Sequence, residues 1–310
     1  MSAVRLQLPA HLGQSYRSGA QRTRVVTETW ASENLYCPAC TCDSLDPTRP
    51  GTEVVDYRCD DCEERYQLKA QGRTIGGRVR DAAYEPMARA VVAGSAPSFY
   101  FLDYDPARWR VRNLQLVPRH FLSLSAIERK PPLRSHARRA GWVGCDILLS
   151  RLPADARIQV VYAGAVISVA MVRSEWRRFS FLRGRRHEAR GWTADVLACV
   201  RRLPTPAFSL QDFYGSFSEE LQRLHPENRH VEDKIRQQLQ FLRERGVLEF
   251  LGRGRYRQMR WCPVCGHDLV PNALPQDGGG HRRLACPECG TWLWDDVCRT
   301  PIARHDRNGL

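Results

Sequence analysis

Half of a thiolate metal site and a set of residues suited to phosphodiester chemistry share one short stretch. In Asp56-Tyr-Arg-Cys59-Asp-Asp-Cys62-Glu-Glu-Arg-Tyr-Gln67-Leu-Lys69, a Cys-x-x-Cys pair sits inside an acid, a glutamine and a lysine. Alternation along a strand puts Gln67 and Lys69 on one face, and Asp56, opening the preceding strand of a hairpin, would face them across the ladder. Hydrolysing a phosphodiester requires charge neutralised on the phosphate and a deprotonated water in line with it; a carboxylate-held Mg2+ supplies both. Asp56 is then the carboxylate ligand, Gln67 and the Leu68 carbonyl offer further oxygens, and Lys69 orients water and offsets developing negative charge. Glutamine at 67 brings one negative charge fewer than a carboxylate, which weakens Mg2+ binding. Glu63 has the parity of Gln67 but adjoins Cys62, where the knuckle turns, and is set aside.

So short a pattern also arises by chance, and its surroundings are what give it weight. Cys37-x-x-Cys40 and Cys59-x-x-Cys62, eighteen residues apart, have the spacing of a structural Zn2+ site that would fix the hairpin bearing Asp56. Cys42 breaks the pair spacing and is left out. Cys262-Pro-Val-Cys265 and Cys286-Pro-Glu-Cys289 repeat the knuckle twenty residues apart, the pattern of a zinc ribbon and a second Zn2+ site. These four pairs take eight of the twelve cysteines, and in a reducing compartment such pairs bind metal rather than form disulfides. Cys145, Cys199 and Cys298 read as small buried or incidental residues.

The elements that must position these groups are legible in outline. With 310 residues, 43% of them hydrophobic, the chain can build two or three cores, and a net charge of +13 favours a polyanionic partner, with nucleic acid first. The first thirty residues carry no secretory pattern, and the longest apolar stretch, 158–172, is interrupted by Gln159, Gly164 and Ser168. A cytoplasmic protein with no membrane span is expected. Apolar spacing predicts a helix over 15–35, the catalytic hairpin over 54–70, a helix over 81–92, and strands over 98–102, 113–117 and on both sides of Gly164. Residues 72–77 read as a loop or as disorder. A basic, proline-bearing loop at 129–139 leads into Trp142 and suggests a ligand-facing edge.

Beyond a boundary near 188, helices over 192–201, 210–224 and 229–245 precede two short strands around Gly252-Arg253-Gly254, a winged-helix arrangement with Asn228 as the cap of the third helix. On that helix Val231, Ile235, Leu239 and Leu242 share one face, leaving Arg229, His230, Asp233, Arg236 and Gln237 on the other, free for a major groove. Between Arg229 and Arg260 there are nine Lys or Arg against four acids, and Arg253, Arg255 and Arg257 sit on the wing, where they would meet a phosphate backbone.

In its residues and their order, the chain resembles the DpnI-like, methyl-directed restriction endonucleases of the PD-(D/E)xK superfamily. The resemblance spans about residues 15–257. It rests on Thr27-Glu28-x-Trp30, Tyr36-Cys37-Pro-x-Cys40, Asp56-Tyr-x-Cys59-x-x-Cys62, Leu68-Lys69, Arg138-Arg139-Ala-Gly-Trp142-x-Gly-Cys145, Arg190-Gly-Trp192-Thr, Lys234-Ile-Arg-Gln-Gln-Leu239 and Gly252-Arg-Gly254. It implies an α/β fold, a PD-(D/E)xK nuclease domain with an embedded zinc site over 1–188 followed by a winged helix over 189–260, to which the cysteine spacing adds the zinc ribbon over 261–310. It also implies that both DNA-binding parts read Gm6ATC, with Trp142 sensing the methyl groups beside Arg138 and Arg139. An indole face can exchange water for apolar contact with methyls in the major groove; without the resemblance, core packing would be the default reading of Trp142. The expected protein is a type II, Mg2+-dependent endonuclease acting as a monomer on N6-methyladenine duplex DNA. The family has glutamate at the position of Gln67 and lacks the ribbon. The competing readings are a methylated-DNA-binding protein that cuts weakly or not at all, which Gln67 favours, and a transcription regulator, which leaves the nuclease motif unexplained. The ribbon's residues fit an extended DNA contact, a brace for the wing or an association surface equally well.

Overall fold

The computed structural model describes residues 4–49, 54–259, 270–271, 283–285 and 292–294, and the chain divides into two units after Gly191. The first opens with helix α1 (Gly19–Asn34), where the Ser18 side chain accepts from the Gln21 N–H and so satisfies one of the donors left over at a helix start. Strands β1 (Asp46–Pro47), β2 (Tyr57–Arg58), β3 (Arg65–Gln71) and β4 (Arg78–Ala83) lead to helix α2 (Tyr84–Val92). Strands β5 (Ser98–Asp105), β6 (Arg110–Val117), β7 (Ile127–Arg129), β8 (Gly144–Leu148), β9 (Ile158–Tyr162) and β10 (Ala165–Val166) lead to helix α3 (Val169–Arg178).

Seven strands form the main sheet in the order β1-β2-β3-β5-β6-β9-β10, with β3 and β5 parallel and the other neighbours antiparallel. Strands β4, β8 and β7 make a second, antiparallel sheet. The uninterrupted apolar run of β5 reflects cover on both of its faces. Tyr100 and Leu102 join a cluster with Trp30 of α1 and Trp176 of α3, whereas Phe99 and Phe101 alternate to the opposite face and stack 5.6 Å apart. The parallel register pairs Gln67 with Phe99 and Lys69 with Phe101, which puts both site residues on the Phe99 face, away from the α1–α3 cluster.

Two expectations for this unit change. Tyr16 precedes α1, which starts only at Gly19. Residues 78–83, of which 81–83 were expected to be helical, form a strand: Arg78 and Arg80 are exposed, Val79 and Asp81 are buried, and pairing with β8 overrides the local helical pattern. The helix starts at Tyr84. The segment 72–77 is an ordered loop, held where the Arg112 guanidinium donates to the Gly72 carbonyl and the Ile75 N–H donates to Asp103.

The second unit takes in most of helix α4 (His187–Arg202), then strand β11 (Ala207–Ser209), helices α5 (Leu210–Leu224) and α6 (Val231–Glu244), and strands β12 (Leu248–Gly252) and β13 (Arg255–Gln258). With the antiparallel sheet β11-β13-β12, this is a winged helix. Phe208, Phe213, Ile235, Leu239 and Tyr256 are buried, and Ser209 with Asp212 forms a capping box at the start of α5. Strand β11 is hidden in the sequence because three residues behind Pro204-Thr-Pro206 are too few for a period. Helix α6 is shorter than the expected 229–245, and His230 rather than Asn228 stands at its cap; the Asn228 side chain accepts from the His230 N–H instead. The wing turns through Arg253 (φ 47°) and Gly254 (φ 71°), two consecutive left-handed residues as a type I′ hairpin requires. Strands β14 (Val270–Pro271), β15 (Arg283–Ala285) and β16 (Trp292–Trp294) form a further antiparallel sheet. The ribbon cysteines Cys262, Cys265, Cys286 and Cys289, and Cys298, lie outside the described residues. No helix among the described residues is long and apolar enough to cross a membrane.

One buried group of the first unit links stability to pH. His120 stands edge-on to Trp176 at 5.5 Å between ring centroids, and neither ring nitrogen has a hydrogen-bond partner among the described residues. Burial, reinforced by Arg183, Arg119 and Arg190, pushes it down to about 3 from an ordinary 6.5. The fold therefore holds a neutral ring that the unfolded chain protonates below 6.5, and stability is lost as pH falls from there towards 3. Replacing His120→Phe is expected to flatten the decline between pH 6.5 and 4.5 by roughly 2 kcal/mol in urea unfolding; parallel curves for the two proteins would contradict this.

Candidate active site

Strand β2 pairs with β3 only at Tyr57↔Tyr66 and Arg58↔Arg65. One residue earlier the strands part, although the Asp56 N–H still donates to the Tyr66 carbonyl (2.9 Å). The Asp56 carboxylate takes up the ladder's next donor, accepting from the Leu68 N–H at 2.9 Å. Asp56 thus precedes β2 instead of opening it, and its side chain stands at the fork of the hairpin. Burial pushes this carboxyl above its ordinary value, against the opposing pull of the Leu68 N–H and Lys69.

Asp56 and Lys69 line one groove of about 610 Å³, together with Thr23, Arg24 and Glu28 of α1 and Arg73, Arg78 and Arg80 beyond β3. Its charges are mostly basic, as a phosphodiester backbone requires, with the two acids Asp56 and Glu28 among them. Gln67 is not on the groove wall. It is 8% exposed, and its Oε1 is a buried acceptor with no hydrogen-bond partner among the described residues. Gln67 directly follows Tyr66, whose carbonyl accepts from the Asp56 N–H, and directly precedes Leu68, whose N–H donates to the Asp56 carboxylate. An unpaired amide oxygen next to a carboxylate is a donor set that fits a hard divalent cation. Glu63 is exposed, lies outside β3 and has φ 58°, so it takes no part.

Two contributors escaped the sequence reading. Glu28, quoted only as part of a motif, reaches the groove from α1, where Arg24 donates to it at 2.8 Å. Asp81 of β4, with a fully buried side chain, forms an ion pair with Lys69. With a charged residue at the buried position 81, the sequence around Arg78 to Asp81 carries no clear strand period.

Cys37, Cys40, Cys59 and Cys62 bring their four sulfurs within 4.8 Å of one another, with Cys37···Cys62 and Cys40···Cys59 both at 3.5 Å. Around a tetrahedral zinc the sulfurs stand roughly 3.8 Å apart, so the cluster fits Zn2+. Burial pushes the Cys37 thiol up and Cys62 to about 11, so thiolates here call for a cation at the centre. Cys42 stays outside the cluster, its thiol donating to the Ser44 carbonyl. Arg173 of α3 donates to the Cys37 and Cys42 carbonyls at 3.1 and 2.8 Å, tying the knuckle to the helix.

Residues 4–185 match the DpnI family, described as the Dam-replacing family, and residues 188–258 match the Dam-replacing HTH domain. The chain belongs to the Dam-replacing family. It is a DpnI-like, methyl-directed restriction enzyme, a nuclease whose HTH domain binds DNA, with an α/β fold built on a central sheet and a C-terminal helical domain.

In this Dam-replacing chain the remaining expected contacts are all at the surface. Arg138 and Arg139 are exposed on the loop joining β7 to β8. Trp142 at its base is partly exposed rather than in the core, with the Arg139 guanidinium 4.9 Å from the indole centroid. The loop extends the β7–β8 ladder, with the Leu133 N–H donating to the Trp142 carbonyl and Gly141 returning to Leu133, both at 2.9 Å. A Cβ at Gly144 would lie 2.7 Å from the indole, so glycine there leaves room for the ring. Arg229, His230, Asp233, Arg236 and Gln237 are exposed on and just before α6, as are Arg253 and Arg255 on the wing. Cys145 and Cys199 are buried.

The thiolate cluster yields a direct expectation. A Cys59→Ser variant should lose one zinc equivalent per chain by elemental analysis and several degrees of thermal stability, because a structural site's binding energy is folding energy; unchanged zinc content would show that the four sulfurs hold no metal.

Proposed function

We propose that the protein cleaves both strands of duplex DNA at Gm6ATC as a type II, Mg2+-dependent endonuclease acting as a monomer. The observation that carries this reading is the hairpin fork, where Asp56 and Lys69 share a basic groove and the orphan Gln67 oxygen lies on the same face. Asp56 and Gln67 would hold the catalytic Mg2+, with the Leu68 carbonyl as a further ligand. Bound there, the ion neutralises phosphate charge and lowers the pKa of a coordinated water. Lys69 would orient the attacking water and offset charge developing on the phosphate. Arg24, Arg73, Arg78 and Arg80 seat the backbone. One Zn2+ in the cluster of Cys37, Cys40, Cys59 and Cys62 fixes the hairpin, and a second belongs to Cys262, Cys265, Cys286 and Cys289.

Specificity is assigned to two surfaces. Trp142, flanked by Arg138 and Arg139, meets the methyl groups of N6-methyladenine, whose apolar surface gains by leaving water. Arg229, His230, Asp233, Arg236 and Gln237 read base edges while Arg253 and Arg255 hold the backbone. The second reading, methylated-DNA binding with weak cleavage, is favoured by the neutral Gln67.

Plasmid bearing or lacking adenine methylation at GATC, incubated with protein and Mg2+, separates the readings. Cleavage of the methylated plasmid alone is expected; binding without cutting would refute the nuclease, and equal cutting of both would refute methyl selectivity. Gln67→Glu should cut faster and at lower Mg2+, since the added charge strengthens the ion's site, and an unchanged or slower rate counts against the metal assignment. Gly144→Ala, which pushes on the indole without removing it, should reduce the preference for methylated over unmethylated DNA about tenfold, the scale of a lost apolar contact. Undiminished preference would remove Trp142 from methyl sensing.

A further inference from the structure

The carboxylate behind Lys69 has no part in the scheme above. Asp81 lies on β4 with its side chain fully buried, while the Lys69 side chain, 20% exposed, bridges from Asp81 to the groove. Asp81 does not line the groove, and its side chain is fully buried behind Lys69. A buried carboxylate without a counter-charge is strongly disfavoured. Strand β8 offers it only a weak donor, the Cys145 thiol, at 4.0 Å from Oδ2. Lys69 is thus held from behind by a group that cannot relax towards water.

The charge balance gives this pair a further consequence. Asp56, Gln67 and Lys69 alone would carry no net charge, a poor set for a dication. With Asp81 included, the lysine is neutralised within its own pair and the Asp56 charge is left for the ion. We propose that Asp81 is a positioning residue for the nuclease reaction: it fixes the Lys69 ammonium at the groove wall and cancels its charge, so that a site lacking a second carboxylate at position 67 still binds Mg2+. This rests on the nuclease reading proposed above.

The test compares wild type, Asp81→Asn, Asp81→Glu, Lys69→Ala and the Asp81→Asn/Lys69→Ala double variant on methylated plasmid, titrating Mg2+. Wild-type failure to cut would refute the nuclease reading itself. Given wild-type cutting, Asp81→Asn should raise the Mg2+ concentration for half-maximal rate about tenfold and lower kcat about a hundredfold, with DNA affinity measured without Mg2+ unchanged. The Mg2+ shift should vanish in the Lys69→Ala background, where the fully buried Asp81, left without a counter-charge, is already neutral. Asp81→Glu should recover part of the rate. A wild-type Mg2+ requirement in Asp81→Asn, or an equal shift in both backgrounds, would overturn the proposal. If Asp81→Asn does not fold, judged by zinc content and circular dichroism, Asp81→Glu decides: an intermediate rate with raised Mg2+ demand supports the role, and a wild-type rate overturns it.

Discussion

Everything at the groove depends on how the β2–β3 hairpin is held. A two-residue strand such as β2 cannot fix its own geometry, because two backbone pairs do not outweigh the entropy of the chain they order. The hairpin is instead pinned at its turn, where Cys59 and Cys62 meet Cys37 and Cys40. The Cys37 sulfur also lies 3.1 Å from the hydroxyl of Tyr66 on β3, and Arg173 grips the first knuckle from α3. With the turn fixed, β2 can separate from β3 at the other end and leave the Leu68 N–H to a side chain. The Asp56 carboxylate that accepts it is partly desolvated, which is the state in which an oxygen donor gains most from a cation.

How much of this the sequence disclosed follows from the range of each interaction. Cys-x-x-Cys pairs and the Asp56, Gln67 and Lys69 spacing are local, and period two fixes the shared face of Gln67 and Lys69 before any tertiary contact is known. The faces of α6 were equally legible, because Val231, Ile235, Leu239 and Leu242 repeat at helical spacing and are all buried. What escaped is set by partners distant in sequence. Asp81 reads as a helix start until β8 pairs with its strand, and its bond to Lys69 spans two sheets. Glu28 joins Asp56 only because α1 packs beside β3, and Asn228 loses the cap of α6 through a preference of backbone geometry that one residue type does not encode.

The two surfaces proposed to read DNA face different physical problems. The winged helix presents charged and amide side chains from a rigid helix whose opposite face is core, with a buried Thr193–Gln238 hydrogen bond of 2.9 Å holding α4 to α6. That suits reading base edges through hydrogen bonds, whose geometry tolerates little error. The β7–β8 loop has exposed arginines and one partly exposed indole, held by two backbone hydrogen bonds at its neck. A methyl group offers no hydrogen bond, so its recognition needs apolar area placed at the right depth rather than donors. A tryptophan whose ring rests against a glycine and beneath a guanidinium provides that area at little entropic cost.

The same logic gives the proposed metal site a way to accept a neutral residue at position 67. Inside a partly buried site each charge acts over a low dielectric, and the quantity a divalent ion responds to is the sum of charges nearby, not the identity of any one ligand. Lysine beside a carboxylate would ordinarily cancel the field that holds the ion. In the proposed site, pairing Lys69 with the buried Asp81 would separate its two effects: the ammonium still reaches the groove wall, but its charge would no longer compete with a dication for Asp56. Gln67 would then need to contribute only an oxygen, and its buried Oε1 has no hydrogen-bond partner among the described residues.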